Sequence, residues 1–311
     1  MRLFSRVPLL VLCLLALPTG CGFRSSAPPE IVVAAASDLT FAFRELGERF
    51  EEETGTRVVF TFGSSGQLAQ QILHGAPVDL FASANLRFVD ELQGAGRLVP
   101  GTRAVYARGY LVLWTRADAI RVPERTEELA QPEFRRIAIA NPQHAPYGVA
   151  AREALQSARL WEALQPRLVY GENIRQTLQF AESGNADVAI VALALALATE
   201  GRWTQVPEQL HQPLDQALAV VRGSANEAAA RRFAALVTGE EGRAVLRRYG
   251  FGIPRPPSPG PSAARGEGRT ARPTEAQEPM FGRMEFPLAP LRGEGARGRG
   301  GPGEDPGEPR I

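Results

Sequence analysis

Lysine is absent from this chain: all 35 of its basic residues are arginine. A Walker-type phosphate loop and any lysine Schiff-base chemistry are thereby excluded. Cysteine is nearly absent too, with Cys13 and Cys21 the only two in 311 residues. The three histidines, His74, His144 and His211, form no H-E-x-x-H pair, so a zincin-type metal site is not encoded. "GSSG" at 63–66 lacks the G-x-S-x-G spacing of a nucleophile elbow. Charge of one sign is also missing: 34 acidic residues leave a formal net charge of +1, which gives no electrostatic reason to expect nucleic acid.

What is present begins with a leader. Residues 1–20 carry Arg2 and Arg6, then the apolar "VPLLVLCLLAL", then the small-residue stretch "PTG", the layout of a secretory signal peptide. The apolar run is too short to span a membrane. Leu17 to Cys21 resembles a bacterial lipoprotein cleavage box, which makes Cys21 the expected lipidation site, although Pro18 stands where leucine is usual; plain secretion is the alternative. After cleavage only Cys21 remains, so the exported chain carries no internal disulfide. Residues 21–29 read as a tether. Beyond Pro254, Pro, Gly, Arg and Glu dominate, and such a composition cannot bury enough apolar surface to offset chain entropy. Residues 255–311 are therefore expected to be a disordered, solvated tail, its arginines nearly balanced by acidic residues.

The remaining segment, 30–254, repeats a strand, a turn and a helix. "EIVVAAA" (30–36) precedes a helical pattern of Leu39, Phe43, Leu46 and Phe50 that Gly55 ends. "RVVFTF" (57–62), "VDLFAS" (78–83), "YLVLWT" (110–115), "RIAIAN" (136–141), "RLVY" (167–170), "DVAIVAL" (187–193) and "QALAVVRG" (216–223) read as further strands, separated by amphipathic helices. Two helical segments, "NEAAARRFAALVTG" and "EEGRAVLRRYG", close the pattern. Alternation of this kind predicts an α/β fold with mostly parallel sheets and helices on both faces. Two αβ lobes joined by crossing strands account for the two halves.

Four loops lie where a strand end meets a helix start: "AAASDL" (34–39), "FGSSGQ" (62–67), "HAPYGV" (144–149) and "YGENIR" (170–175). Ligands of open α/β sheets sit at the carboxyl ends of strands. Helix N-termini offer unpaired N–H groups and a partial positive charge, which suits an anion. Ser37, Ser64 and Ser65 add hydroxyls, and Gly63 and Gly66 allow close approach of the backbone. At any single loop, Ser, Asp or Asn is explained by helix capping alone. Recurrence at four strand ends, two in each half, favours a shared anion cleft.

The segments "VVAAASDLTFAF", "FGSSGQLAQQI", "GAPVDLFASA", "NPQHAPYGVAAREAL", "GENIRQTLQFAESGNADVAIVALALA" and "LRRYGF" resemble, in order over about 31–252, the periplasmic molybdate-binding proteins of ABC importers. The resemblance implies a type II periplasmic-binding-protein fold, with a molybdate or tungstate ion held by neutral donors between two lobes joined by crossing hinge strands. It implies a membrane permease with its ATPase as partners, no cofactor, no resident metal other than the molybdenum of the ligand, and a monomer in the periplasm or tethered outside the membrane. The expected division is lobe I over 30–108, lobe II over 109–217, and a return to lobe I over 218–254. By position, Ser37 and Ser65 donate through hydroxyl and backbone N–H, and Tyr147 and Ile174 through backbone N–H. The family's tyrosine hydroxyl falls at Ala192, which cannot supply it; Asn173 or the Tyr147 hydroxyl is the candidate replacement.

The ligand chemistry is consistent with neutral donors. A fully deprotonated dianion only accepts hydrogen bonds, each contributing about 1.5–3 kcal/mol when the partner is charged. Phosphate retains a proton and needs an acceptor, for which Asp38 is a candidate, so sulfate and phosphate are alternative ligands. A serine hydrolase is the alternative from another class, with His144, Asp38 and either Ser37 or Ser65 as its triad.

Overall fold

Residues 30–63 set the unit from which the rest is built. The computed structural model describes residues 29–254; the leader, Cys21 with the tether up to residue 28, and the tail from 255 lie outside the described residues. Strand β1 (Glu30–Ala36) runs through a 3-10 turn (Ser37–Leu39) into helix α1 (Thr40–Thr54), which Gly55 ends in the left-handed conformation at φ 68°. Strand β2 (Arg57–Gly63) then lies parallel to β1, Val33 opposite Phe60.

The chain continues through α2 (Ser65–Leu73), β3 (Leu80–Ser83), α3 (Leu86–Gly94) and β4 (Ala104–Gly109), then crosses at Tyr110 into β5 (Leu111–Thr115). The second half comprises β6 (Ile137–Ala140), α4 (Pro146–Ser157), α5 (Trp161–Leu164), β7 (Leu168–Gly171), α6 (Ile174–Glu182), β8 (Val188–Ala192), α7 (Leu193–Ala196) and β9 (Arg202–Gln205). It returns through 206–213 to β10 (Leu214–Val220), followed by α8 (Glu227–Thr238) and α9 (Glu240–Arg248).

Two five-stranded sheets result, in the orders β2-β1-β3-β10-β4 and β7-β6-β8-β5-β9. In the first, β10 pairs antiparallel with both β3 and β4; in the second, β5 pairs antiparallel with β8 and β9. Four strands of each sheet thus point one way and one is reversed, so both sheets are mixed while keeping the expected predominant direction. The reversed strands are the ones that follow the two crossings between sheets. Because β10 begins at Leu214, the boundary expected after residue 217 falls inside it.

Side chains of the first sheet alternate between two cores, as the period of a strand requires. Val33, Ala35, Leu80 and Ala82 face α1, α8 and α9 with Phe43, Phe50 and Phe233, the last two rings 5.4 Å apart. Ala34, Phe81, Ala217 and Ala219 face α2 and α3 with Leu68, Phe88 and Leu92. In the second sheet every residue of β5, β6 and β8 is buried, which is why those strands read as unbroken apolar runs. Trp114 is buried in this core. Among the described residues no helix is long and apolar enough to cross a membrane.

Candidate functional site

A cavity of about 10 Å³ lies between the lobes, on the scale of a single water-sized sphere. Lobe I lines it with Ser37, Asp38, Gly63, Ser64 and Ser65, and lobe II with Ala145, Pro146, Tyr147 and Ile174. No arginine is among these residues. Of the residues singled out from the sequence, Ser37, Ser65, Tyr147 and Ile174 reach the cavity, and Asn173 and Ala192 do not. Among the described residues no cluster of three metal-binding side chains occurs.

The local chain explains these positions. Ser64, not Ser65, caps α2, its Oγ accepting from Gln67 N at 3.4 Å. Ser65 therefore begins the helix; its Oγ accepts from Ala84 N at 3.0 Å, which leaves the hydroxyl proton free to turn into the cavity. Ser37 caps nothing and donates to Gly63 O at 3.0 Å. Asn173 is a cap alone, its Oδ1 accepting from Arg175 N and Gln176 N at 3.0 Å each. Ala192 is fully buried at the end of β8, opposite Leu111.

Ser65, Tyr147 and Ile174 occupy the first turns of α2, α4 and α6. No intrahelical carbonyl reaches a first-turn N–H. Among the described residues these three amides have no other hydrogen-bond acceptor. Three helix N-termini thus converge on one cavity, each carrying roughly half a positive charge.

Asp38 is the one carboxyl among the described residues lining the cavity, and it is 1 % exposed. Its Oδ2 accepts from Gln216 Nε2 at 2.6 Å, and Gln216 Oε1 accepts from the Tyr106 hydroxyl at 2.9 Å. The Tyr147 hydroxyl accepts from the same Gln216 nitrogen at 3.4 Å. Asp38 Oδ1 has no hydrogen-bond partner among the described residues. Burial raises the Asp38 carboxyl to about 6, against the weaker opposing effects of Gln216 and the nearby Tyr147 hydroxyl. Burial, with the Asp38 charge adding to it, holds the Tyr106 and Tyr147 phenols well above their ordinary range.

The rim of the cavity is bridged between lobes. Gly66 N donates to His144 O at 2.9 Å, Ser64 Oγ meets His144 Nδ1 at 2.8 Å, and Gln67 Nε2 donates to Glu172 Oε2 at 2.8 Å. His144 Nε2 lies 3.5 Å from the same Glu172 oxygen, whose side chain is 61 % exposed. A Cβ on Gly66 would lie 2.6 Å from His144 O, so glycine is needed there for the lobes to meet. A Cβ on Gly109, at the first crossing, would run into the Tyr147 hydroxyl.

Sequence reasoning missed Gln216, Tyr106 and the rim contacts. No local signal marks them, because each partner lies on another element, Gln216 being 178 residues from Asp38. The triad drawn from His144 with Ser37 or Ser65 and Asp38 does not form: the imidazole faces Ser64 and Glu172 instead.

The model of the bacterial extracellular solute-binding protein family matches residues 31–252. The molybdate-binding protein ModA of Rhodobacter capsulatus is 37 % identical over 239 residues, 76 % of this chain and 91 % of that one. That of Azotobacter vinelandii is 33 % identical over 245 residues, 77 % of this chain and 97 % of its own. A solved structure of the Azotobacter vinelandii periplasmic molybdate-binding protein matches with a TM-score of 0.69 at 32 % identity, covering 72 % of this chain and 100 % of that chain.

Proposed function

The chain belongs to the bacterial extracellular solute-binding protein family, and on that footing we propose that it captures molybdate or tungstate between its lobes and delivers the anion to a membrane permease driven by a separate ATPase. The observation that carries this reading is the meeting of three helix N-termini and three serines, Ser37, Ser64 and Ser65, at one interlobe cavity that, among the described residues, no arginine lines. Such a site supplies donors and fractional positive charge, which is what a fully deprotonated dianion takes. In this reading Ser65, with Ser37 once its hydroxyl proton turns from Gly63 O to the ion, holds one side, and the Tyr147 and Ile174 amides the other. Neutral donors also leave the ion free to depart when the lobes part. Closure is favoured only through contacts absent from the open form, so the bound anion and the rim contacts act together.

The protein is a carrier and not an enzyme. The Ser64, His144 and Glu172 contact joins two lobes, and Ser64 is already engaged as the cap of α2. Working in the periplasm, the protein acts as a monomer, with Cys21 as a lipid anchor that keeps it at the membrane surface.

A melting-temperature panel on the purified protein with molybdate, tungstate, sulfate, phosphate and a chloride control tests the ligand. A ligand bound only by the folded state raises stability, by about 2.7 kcal/mol at a hundredfold excess over Kd. Molybdate and tungstate should raise the melting temperature, with little effect of sulfate. A rise with phosphate alone would assign the site to a protonated oxyanion, and no rise with any of the four would overturn the reading.

A further inference from the structure

The carboxyl beside the anion site is the group that the carrier function leaves unexplained. We propose that Asp38 engages the bound oxyanion as a neutral carboxylic acid, donating a proton from Oδ1, so that each anion captured brings one proton into the site. The proposal rests on the oxyanion reading above.

Geometry supplies the first argument. Asp38 lines the cavity and is almost wholly buried, with Oδ2 occupied by Gln216 and Oδ1 unpartnered. A buried oxygen without a partner is costly, and an incoming ligand is what can satisfy it. The second argument is chemical: an ionised carboxylate and a dianion are both pure acceptors, and in a small cavity of low dielectric they repel strongly. One proton removes a charge and turns an acceptor into a donor. It also supplies an O–H of the kind that the Ala192 position cannot provide.

Among the described residues no cation faces Asp38 to keep the carboxylate ionised. Tyr106 of β4, Tyr147 of α4 and the neutral Gln216 of β10 face it. On α1, Arg44 lies over the Phe62 ring, and Glu45 pairs with Arg49 and Arg248. On α6, Arg175 pairs with Glu182 and lies over the Phe41 ring; α7 has no titratable residue. His144 is held at the rim by Ser64 and Glu172. Burial raises the Asp38 carboxyl to about 6, and an adjacent dianion raises it further.

Titration calorimetry with molybdate on the full chain, in buffers of contrasting ionisation enthalpy at about pH 7.5, counts protons taken up per anion. The expected result is close to one proton, with Kd rising about tenfold per pH unit above neutrality. Asp38→Asn, whose amide can donate without titrating, should bind molybdate with no proton uptake and a Kd flat in pH. Molybdate binding without proton uptake by the parent protein, or with the same uptake by the variant, would overturn the proposal while leaving the carrier function intact. An absence of binding heat with any oxyanion would overturn both. Should the variant fail to fold, the proton count of the parent alone decides.

Discussion

Ser64 and Ser65 are neighbours with different work. Because Ser64 takes the capping position, Ser65 Oγ accepts from Ala84 N and keeps its own proton for the cavity. Ser65→Ala should therefore weaken oxyanion binding about tenfold to a hundredfold, the loss of one charge-assisted hydrogen bond. It should also lower the stability of the unliganded protein by about 1–2 kcal/mol, since Ala84 N–H loses its acceptor. Calorimetry and thermal melts on the same sample separate the two effects, and unchanged affinity would remove Ser65 from the site. At Asp38 the folded state holds a proton more tightly than the unfolded chain. Its contribution to stability is therefore fully present below its ordinary value of 3.8 and is lost as pH rises through about 6. A rise of that size corresponds to about 3 kcal/mol. Unliganded Asp38→Asn should melt above the parent near about pH 8 and lose that advantage near about pH 4, a crossover that melts over a pH series would reveal. The serines and Asp38 were legible because each lies within two residues of a strand end. Which serine hydroxyl is free was not, since that depends on Ala84 and Gly63, which lie elsewhere along the chain.

The elements were legible where burial imposes a period. β1, β3, β6 and β8 are buried strands, and their apolar runs announce them. β4 and β9 did not announce themselves: both are outer strands, and unlike β2 with its run "RVVFTF" they carry no continuous apolar run. "AVYARG" exposes Val105, and "RWTQ" exposes Trp203. Their pairing is decided by β10 and β5, long-range partners that no window of sequence contains. Helix α2 shows an element acting across the gap, because the N–H of Gly66, its second residue, reaches His144 O on the other lobe. Gly66→Ala would place a methyl against that carbonyl and 2.8 Å from the Phe88 ring. The expected outcome is a weaker complex, by about 1–3 kcal/mol of overpacking, with lobes further apart in small-angle scattering of the liganded protein. Unchanged affinity and dimensions would show that the lobes need not meet at Gly66.

For the whole molecule, two crossings join the lobes, and Tyr147, Gln216 and Tyr106 are hydrogen-bonded between them. The Gln67 to Glu172 contact at the rim is exposed and contributes modestly, about 0.5–1.5 kcal/mol. Gln67→Ala should therefore speed oxyanion release a few-fold while leaving capture unchanged, as stopped-flow association and dissociation would resolve; equal release rates would show that this pair does not hold the closed form. The two-lobed plan was legible from the repeat of strand and helix, whereas the point of return was not, since nothing local separates residue 214 from 218. The reversed strand β10 also governs the order in which the protein is made. Lobe II is continuous from β5 to β9, but the first sheet lacks its member between β3 and β4 until Leu214–Val220 follows. The part of the chain that is synthesised first is thus completed last, after the inserted lobe, and a chain broken before Leu214 leaves β4 with no neighbour to pair with.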